Sequence, residues 1–221
     1  MSTQFFPNAS FGWFYVVSIL GLLAVCAVVD AKRLLVPKVY TLGLAALGLG
    51  LNMVRGGWLG ANELNVWLFG PAGIAGGVAD GVLFAIAGLL TGFTLFFLQW
   101  ILTLCGGGDV KLAAGLGACL GPMLFLVAFI LTLPAVVLLA LIRAAGRILQ
   151  GQRVAHYLRA EERDTEEGKR KRRIQSYSLP LALGTALMML GLLGTELGIF
   201  QPKPIPGKVA PTEKAAPATQ P

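Results

Sequence analysis

The chain has 221 residues, of which 56% are hydrophobic and only 13% charged, with 18 Lys or Arg against 11 Asp or Glu. A soluble domain averages about 25% charged residues. With a mean hydropathy of +0.73, the composition therefore excludes a water-soluble globular domain and points to one polytopic helical membrane domain.

Residues 1–29 contain no Lys or Arg, and Lys32 and Arg33 follow the first apolar stretch instead. A secretory signal carries its basic residues first, so this stretch predicts a retained span that starts outside and ends in the cytoplasm. Phe11 to Val29 is nineteen uncharged residues, about 28 Å as a helix against a hydrocarbon thickness of about 30 Å. Val39 to Val54 predicts a shorter second span, stopped by Arg55-Gly56-Gly57. Residues 56–79 are rich in Gly, Asn and Trp, and are expected to form an interfacial loop with Trp58 and Trp67 at headgroup depth. Gly81 to Cys105 is a long third span, with Asp80 ahead of it as a helix N-cap.

Leu112 to Ile142 carries no charge over thirty-one residues, too long for one helix and too short for two full ones. Its break is expected at Gly121-Pro122, because proline removes a backbone donor and suits a helix start. A short fourth helix after Asp109 and a fifth from Met123 follow, and Leu179 to Phe200 is the sixth. The expected fold class is all-α, a polytopic membrane protein with about six transmembrane helices. Residues 1–200 would form the membrane-embedded domain, with a basic cytoplasmic loop at 143–178. The tail at 201–221 is Pro/Ala/Lys-rich without an apolar period, and is expected to be disordered. Cys26, Cys105 and Cys119 all lie in apolar stretches with no C-x-x-C pair. Neither a zinc ribbon nor a disulfide framework is supported, and small buried hydrophobes is the reading that fits.

Charge bias tests the order of spans independently. If they alternate from an outside N-terminus, segments 30–38, 106–111 and 143–178 are cytoplasmic and hold fourteen of the 18 Lys and Arg. The opposite side keeps Arg55, Lys203, Lys208 and Lys214, a clear positive-inside pattern. The same order puts two acids, Asp30 and Asp109, at the cytoplasmic ends of their spans.

Those acids are the candidate chemistry. Asp30 stands in Val29-Asp30-Ala31-Lys32-Arg33 and Asp109 in Gly106-Gly107-Gly108-Asp109-Val110-Lys111. A lone carboxylate in lipid costs about 3 kcal/mol or more, which makes each a candidate for function. Peptide hydrolysis without metal or nucleophile needs one carboxylate to draw a proton from water and one carboxylic acid to protonate the carbonyl oxygen. Two acids held close share a proton and titrate as a pair, so each can serve as base and acid in turn. A run of glycines before one of them lets backbone pass close to an extended substrate. The residues alone leave other readings open: a proton relay, a cation pathway, or charges that merely snorkel.

Both windows resemble the bacterial type IV prepilin leader peptidases, the G-x-G-D membrane aspartyl proteases. The second window, Gly106-Gly107-Gly108-Asp109-Val110-Lys111-Leu112-Ala113-Ala114 through Leu116-Gly117-Ala118 to Leu120-Gly121, is similar nearly residue for residue. The first matches by spacing: Asp30 is followed by Pro37, Thr41-Leu42, Gly48 and Asn52. Asp80-Gly81 with Gly88 resembles the start of the third span, and Leu179-Pro180-Leu181-Ala182-Leu183-Gly184 the opening of the last helix. Departures are Lys38 after Pro37, where many relatives have Asp or Asn, and a last-helix motif without the usual Pro-Phe-Gly-Pro character. The likeness covers roughly residues 15–200. Larger members carry an N-terminal domain with two C-x-x-C pairs and N-methylate the cleaved pilin; this chain looks like the short form, which implies peptidase activity alone.

The resemblance implies a catalytic pair of Asp30 and Asp109, with Gly106, Gly108 and Lys111 against the substrate, and no metal or organic cofactor. It implies prepilin or pseudopilin substrates, whose short basic leader stays in the cytoplasm while their apolar helix sits in the bilayer. It also implies a pilus or secretion assembly machinery as wider partner, and no nucleic acid. Lys111 either sets the charge of Asp109, contacts substrate, or is an ordinary positive-inside lysine. His156 stands alone in a charged loop, where a metal site is not expected. Glu161, Glu162, Asp164, Glu166 and Glu167 could attract a basic leader, while the basic residues around them follow from topology and anionic lipid. The alternatives from another class are a catalytically inactive assembly partner and a cation-coupled transporter. A transporter should carry mid-span polar residues and repeat symmetry; an inactive partner should have lost an aspartate or a motif glycine.

Overall fold

The computed structural model describes residues 5–33, 38–69, 73–149, 178–194 and 196–199. Five helices account for its regular structure: α1 Ala9–Arg33, α2 Lys38–Ala61, α3 Gly73–Ile101, α4 Gly107–Leu149 and α5 Ser178–Leu193. No strand occurs among the described residues. In hydrocarbon every backbone N–H and C=O must be satisfied inside its own segment or a closed barrel, and apolar runs of this length meet that demand as helices. α1 to α4 are each long and apolar enough to cross a membrane. α5, with 16 residues, is about 24 Å long. Residues 150–177 of the basic loop, with His156 and the five acids, and the tail at 201–221 lie outside the described residues.

The helices meet at glycines spaced four apart. Gly56 and Gly60 of α2 face Gly77 and Gly73 of α3 so closely that a Cβ on any of Gly56, Gly60 or Gly77 would overlap backbone opposite. Gly81 meets Asn52 in the same way, so α2 and α3 run antiparallel. Gly88 and Gly92 of α3 meet Gly117 and Ala113 of α4, again antiparallel. Gly115 approaches Thr41 and Gly48 approaches Ala118, which sets α2 and the first part of α4 parallel. Without a hydrophobic drive between helices in lipid, association rests on this close packing of small residues. A cluster of large side chains fills the remaining centre, including Ile19, Leu23, Leu44, Phe96, Leu116, Leu120, Phe125 and Met188.

α4 is broken where the sequence predicts it. Gly121 takes φ 72 and ψ 174, a conformation that favours glycine, and a Cβ there would run into the Phe84 ring. Past Pro122 the chain turns back along α3: Phe96 packs against Phe125 and Phe129, with ring centroids 6.5 and 5.7 Å away. α4 then continues beyond the expected end at Ile142 to Leu149. Ala144, Ala145, Arg147 and Leu149 are good helix formers. α5 packs on this second part through Gly184 against Ala128 and Thr132.

Three expectations are corrected. α2 does not stop at Val54, and residues 56–79 are not one loop; α2 runs to Ala61 and α3 starts at Gly73. The glycines read as loop formers are the contact surface of two helices. Arg55 is accordingly not an interfacial stop but a buried side chain, 1% exposed, with its guanidinium 4.3 Å from the Phe5 ring and 4.4 Å from Phe84. Second, Asp80 is not ahead of the third span. It lies inside α3, fully buried, and its carboxylate accepts the N–H groups of Trp67, Leu68 and Phe69 at 2.7 to 3.2 Å. It caps the loop that precedes its helix rather than the helix itself. Third, the last helix ends at Leu193 rather than Phe200. Glu196 thus sits beyond it, and takes the backbone N–H groups of Phe5 and Phe6 at 3.0 Å.

These groups form a polar knot at one end of the bundle. Tyr15 donates to the carbonyl of Cys119, and Asn52 Nδ2 reaches the carbonyls of Gly48, Ala118 and Cys119 at 3.0 Å. Tyr15, Asp80 and Glu196 all lie within electrostatic range of Arg55. Two apolar surface grooves, one along Met53, Trp58 and Val78 and one along Trp13, Val17 and Leu190, belong to this end as well.

Candidate active site

The opposite end carries the acids. The chain leaves α3 through a tight connection: Thr103 takes φ 59, and the Leu104 N–H returns to the Gln99 carbonyl at 2.9 Å. Gly106 then acts as N-cap of α4. The Asp109 N–H donates to the Gly106 carbonyl at 3.0 Å, and the Gly106 N–H donates back to Asp109 Oδ2 at 3.0 Å. This is the acidic half of a capping box, with the acid at the third helical position and a backbone turn bond where the N-cap side chain would bond. The carboxylate also faces the positive end of the α4 dipole. Asp109 is 6% exposed, so the Gly106 N–H stands where water would otherwise solvate it.

Asp30 has the opposite problem. It lies three residues before the end of α1, where the helix dipole is negative and opposes a carboxylate. It too is 6% exposed. Ser178, the first residue of α5 and 2% exposed, donates its hydroxyl to Asp30 Oδ2 at 2.6 Å. α1 and α5 run antiparallel, as the Trp13 indole bond to the Leu197 carbonyl at their other ends also requires. The positive N-terminus of α5 therefore meets the negative C-terminus of α1 at the carboxylate.

Helix directions bring the two acids to the same end. α1 delivers Asp30 there, and a four-residue connection leads to α2, which starts at Lys38. Thr41, in the first turn of α2, abuts Gly115, less than two turns along α4 from Asp109. Of the other predicted site residues, Gly106 supplies the capping N–H, Gly108 is half-buried in the first turn, and Lys111 is exposed. Gly108 is not among the glycines with positive φ, so backbone conformation does not account for a glycine at that position. Gly107 is exposed, and a Cβ there would meet only the Trp100 indole nitrogen, at 3.8 Å.

Cys105 lies beside this site, buried in the α3–α4 connection with its thiol 3.4 Å from the Phe96 carbonyl. Burial pushes that thiol up to about 11, and the charge of Asp109 adds to the effect. It is a protonated filler at neutral pH, in keeping with the reading of the cysteines as small hydrophobes. Ser178 is the residue that sequence reading missed. A serine just before Leu179-Pro180 signals a helix start, and nothing in its spacing points to Asp30, 148 positions away.

Helices long enough to cross a bilayer, with two buried carboxylates at one end, define a polytopic α-helical membrane protein. The chain belongs to the type IV leader peptidase family, whose model matches residues 17–142, a stretch that includes both Asp30 and Asp109 and ends before Ser178. Membership makes it, in general terms, a protease of the aspartic type. No curated protein and no solved structure matches the chain.

Proposed function

We propose that this protein is a membrane aspartic endopeptidase that removes the short basic leader of type IV prepilins or pseudopilins at the cytoplasmic face of the cell inner membrane. The observation that carries the reading is the placement of two buried carboxylates at one end of the bundle, each with a donor of its own, inside the region the family matches. In this reading Asp30 and Asp109 share one proton. The ionised member takes a proton from water, whose oxygen adds to the scissile carbonyl carbon, while the protonated member gives its proton to the carbonyl oxygen. Collapse of the resulting diol breaks the C–N bond; the proton taken from water goes to the leaving nitrogen and the diol hydroxyl returns one to the pair. Gly106, Gly108 and Lys111 would line the approach of the substrate.

The topology that goes with this function has six spans, counting α4 as two about Gly121, with the N-terminus outside. The positive-inside bias supports it. A prepilin leader is basic and remains in the cytoplasm, so the site and the leader would share a side. Coexpression with candidate prepilins, read on a gel for loss of a short leader, tests the function. Leader removal that depends on this chain is the expected result. Uncleaved precursor with every cognate pilin would point to an inactive assembly partner instead.

A further inference from the structure

Asp30 is held from outside its own helix by a residue that lies beyond the family-matched region. The Ser178 hydroxyl is 2.6 Å from Asp30 Oδ2, both side chains are buried, and the contact joins α5 to the far end of α1 across 148 residues of sequence. A serine opening a helix ordinarily turns its oxygen to its own first-turn N–H groups. Here the hydroxyl donates its proton to a carboxylate on another helix.

We propose that Ser178 is a positioning residue for the peptidase reaction: it fixes the orientation of the Asp30 carboxylate and stays bonded to it through both halves of the proton cycle. A hydroxyl can do this because it has one proton to donate and lone pairs to accept with. While Asp30 is ionised, Ser178 donates. When Asp30 carries the shared proton, rotation about the Cβ–Oγ bond lets the same oxygen accept. Asp109 differs, because its partner at Oδ2 is the Gly106 backbone N–H, which can only donate. α5 is therefore part of the site through its first residue.

The inference rests on the reading of Asp30 and Asp109 as the catalytic pair, and the test separates the two. Steady-state cleavage of a prepilin by purified full-length protein in liposomes is compared for wild type, Ser178→Ala, Ser178→Thr, Asp30→Asn and Asp109→Asn, with a thermal melt of each. A hydrogen bond to a charged group is worth about ten- to a hundred-fold in an equilibrium or rate. Ser178→Ala is expected to lose about tenfold or more in kcat at unchanged KM, because the serine orients a catalytic group rather than binding substrate, with the protein still folded at the assay temperature. Ser178→Thr, which keeps the hydroxyl, should recover most of that loss. A wild-type kcat for Ser178→Ala, or a loss that follows falling thermal stability and that threonine does not restore, would overturn the positioning role. In either of those outcomes inactive Asp30→Asn and Asp109→Asn proteins would leave the catalytic pair standing. If the two asparagine variants cleave, the pair itself is wrong.

Discussion

A carboxylate buried in a membrane protein has to be held by donors, and three acids of this chain are held in three ways. Asp109 takes the N–H of its own N-cap, Asp30 a hydroxyl from another helix, and Asp80 three successive loop N–H groups. The first two leave an acid poised at the bundle end; the third commits its oxygens to structure. Asp80→Ala should therefore cost about 1–3 kcal/mol of stability for the donors left unpaired, seen as a lower melting temperature, while folded protein keeps its cleavage rate. Loss of cleavage by an Asp80 variant with a wild-type melt would show that Asp80 acts at the site. The glycines before Asp109 make a second case. A Cβ at Gly107 would make only an ordinary contact with the Trp100 indole, so Gly107→Ala should cleave within about twofold of wild type. If substrate passes close to the first turn of α4, as proposed, Gly108→Ala should be several-fold slower with an unchanged melt, since positive φ is not the constraint there. Equal rates for the two variants in a cleavage assay would withdraw Gly108 from the site.

At the scale of elements, the fold is governed by which glycines face which. Gly56→Ala would put a methyl into the carbonyl of Gly77, and overpacking of this kind costs about 1–3 kcal/mol. Gly50 is on the same helix with nothing near its missing Cβ, so Gly50→Ala should leave stability unchanged or raise it by up to about 1 kcal/mol through helix propensity. Thermal melts of the two variants in one detergent give the comparison directly; similar melts would mean that α2 and α3 do not meet along this line. The same residues explain what the sequence disclosed and what it hid. Long uncharged runs made α1, α3 and α4 readable, and Gly121-Pro122 revealed the break, because those signals are local. The end of α2 was misread because glycine signals a loop in water and close helix contact in lipid. The four-residue spacing of Gly56 with Gly60, and of Gly73 with Gly77 and Gly81, was the available clue. Burial of Arg55 between two rings and the reach of Ser178 to Asp30 depend on partners far away in sequence, and no local pattern carries them.

For the whole molecule, the two ends are chemically distinct. One is a closed knot in which Tyr15, Asn52, Arg55, Asp80 and Glu196 lock helices and the start of the chain together. The other holds the acids, with Lys111 exposed beside them. A proteolytic end that faces the cytoplasm predicts the result of impermeant thiol labelling in intact cells, in a background cleared of Cys26, Cys105 and Cys119. Glu63→Cys, in the exposed loop after α2, should react, and Lys111→Cys should be shielded until the membrane is opened. The reverse pattern would put the acids on the wrong side for a cytoplasmic leader. The central claim is that Asp30 and Asp109 hydrolyse the leader peptide together, and it is tested most directly by mass spectrometry of a prepilin incubated with purified protein in liposomes. Wild type should release the leader by a single cut, and Asp30→Asn and Asp109→Asn should each release none above background, since an amide can act neither as the base nor as the acid. Leader release by either asparagine variant at a rate near that of wild type would contradict the account.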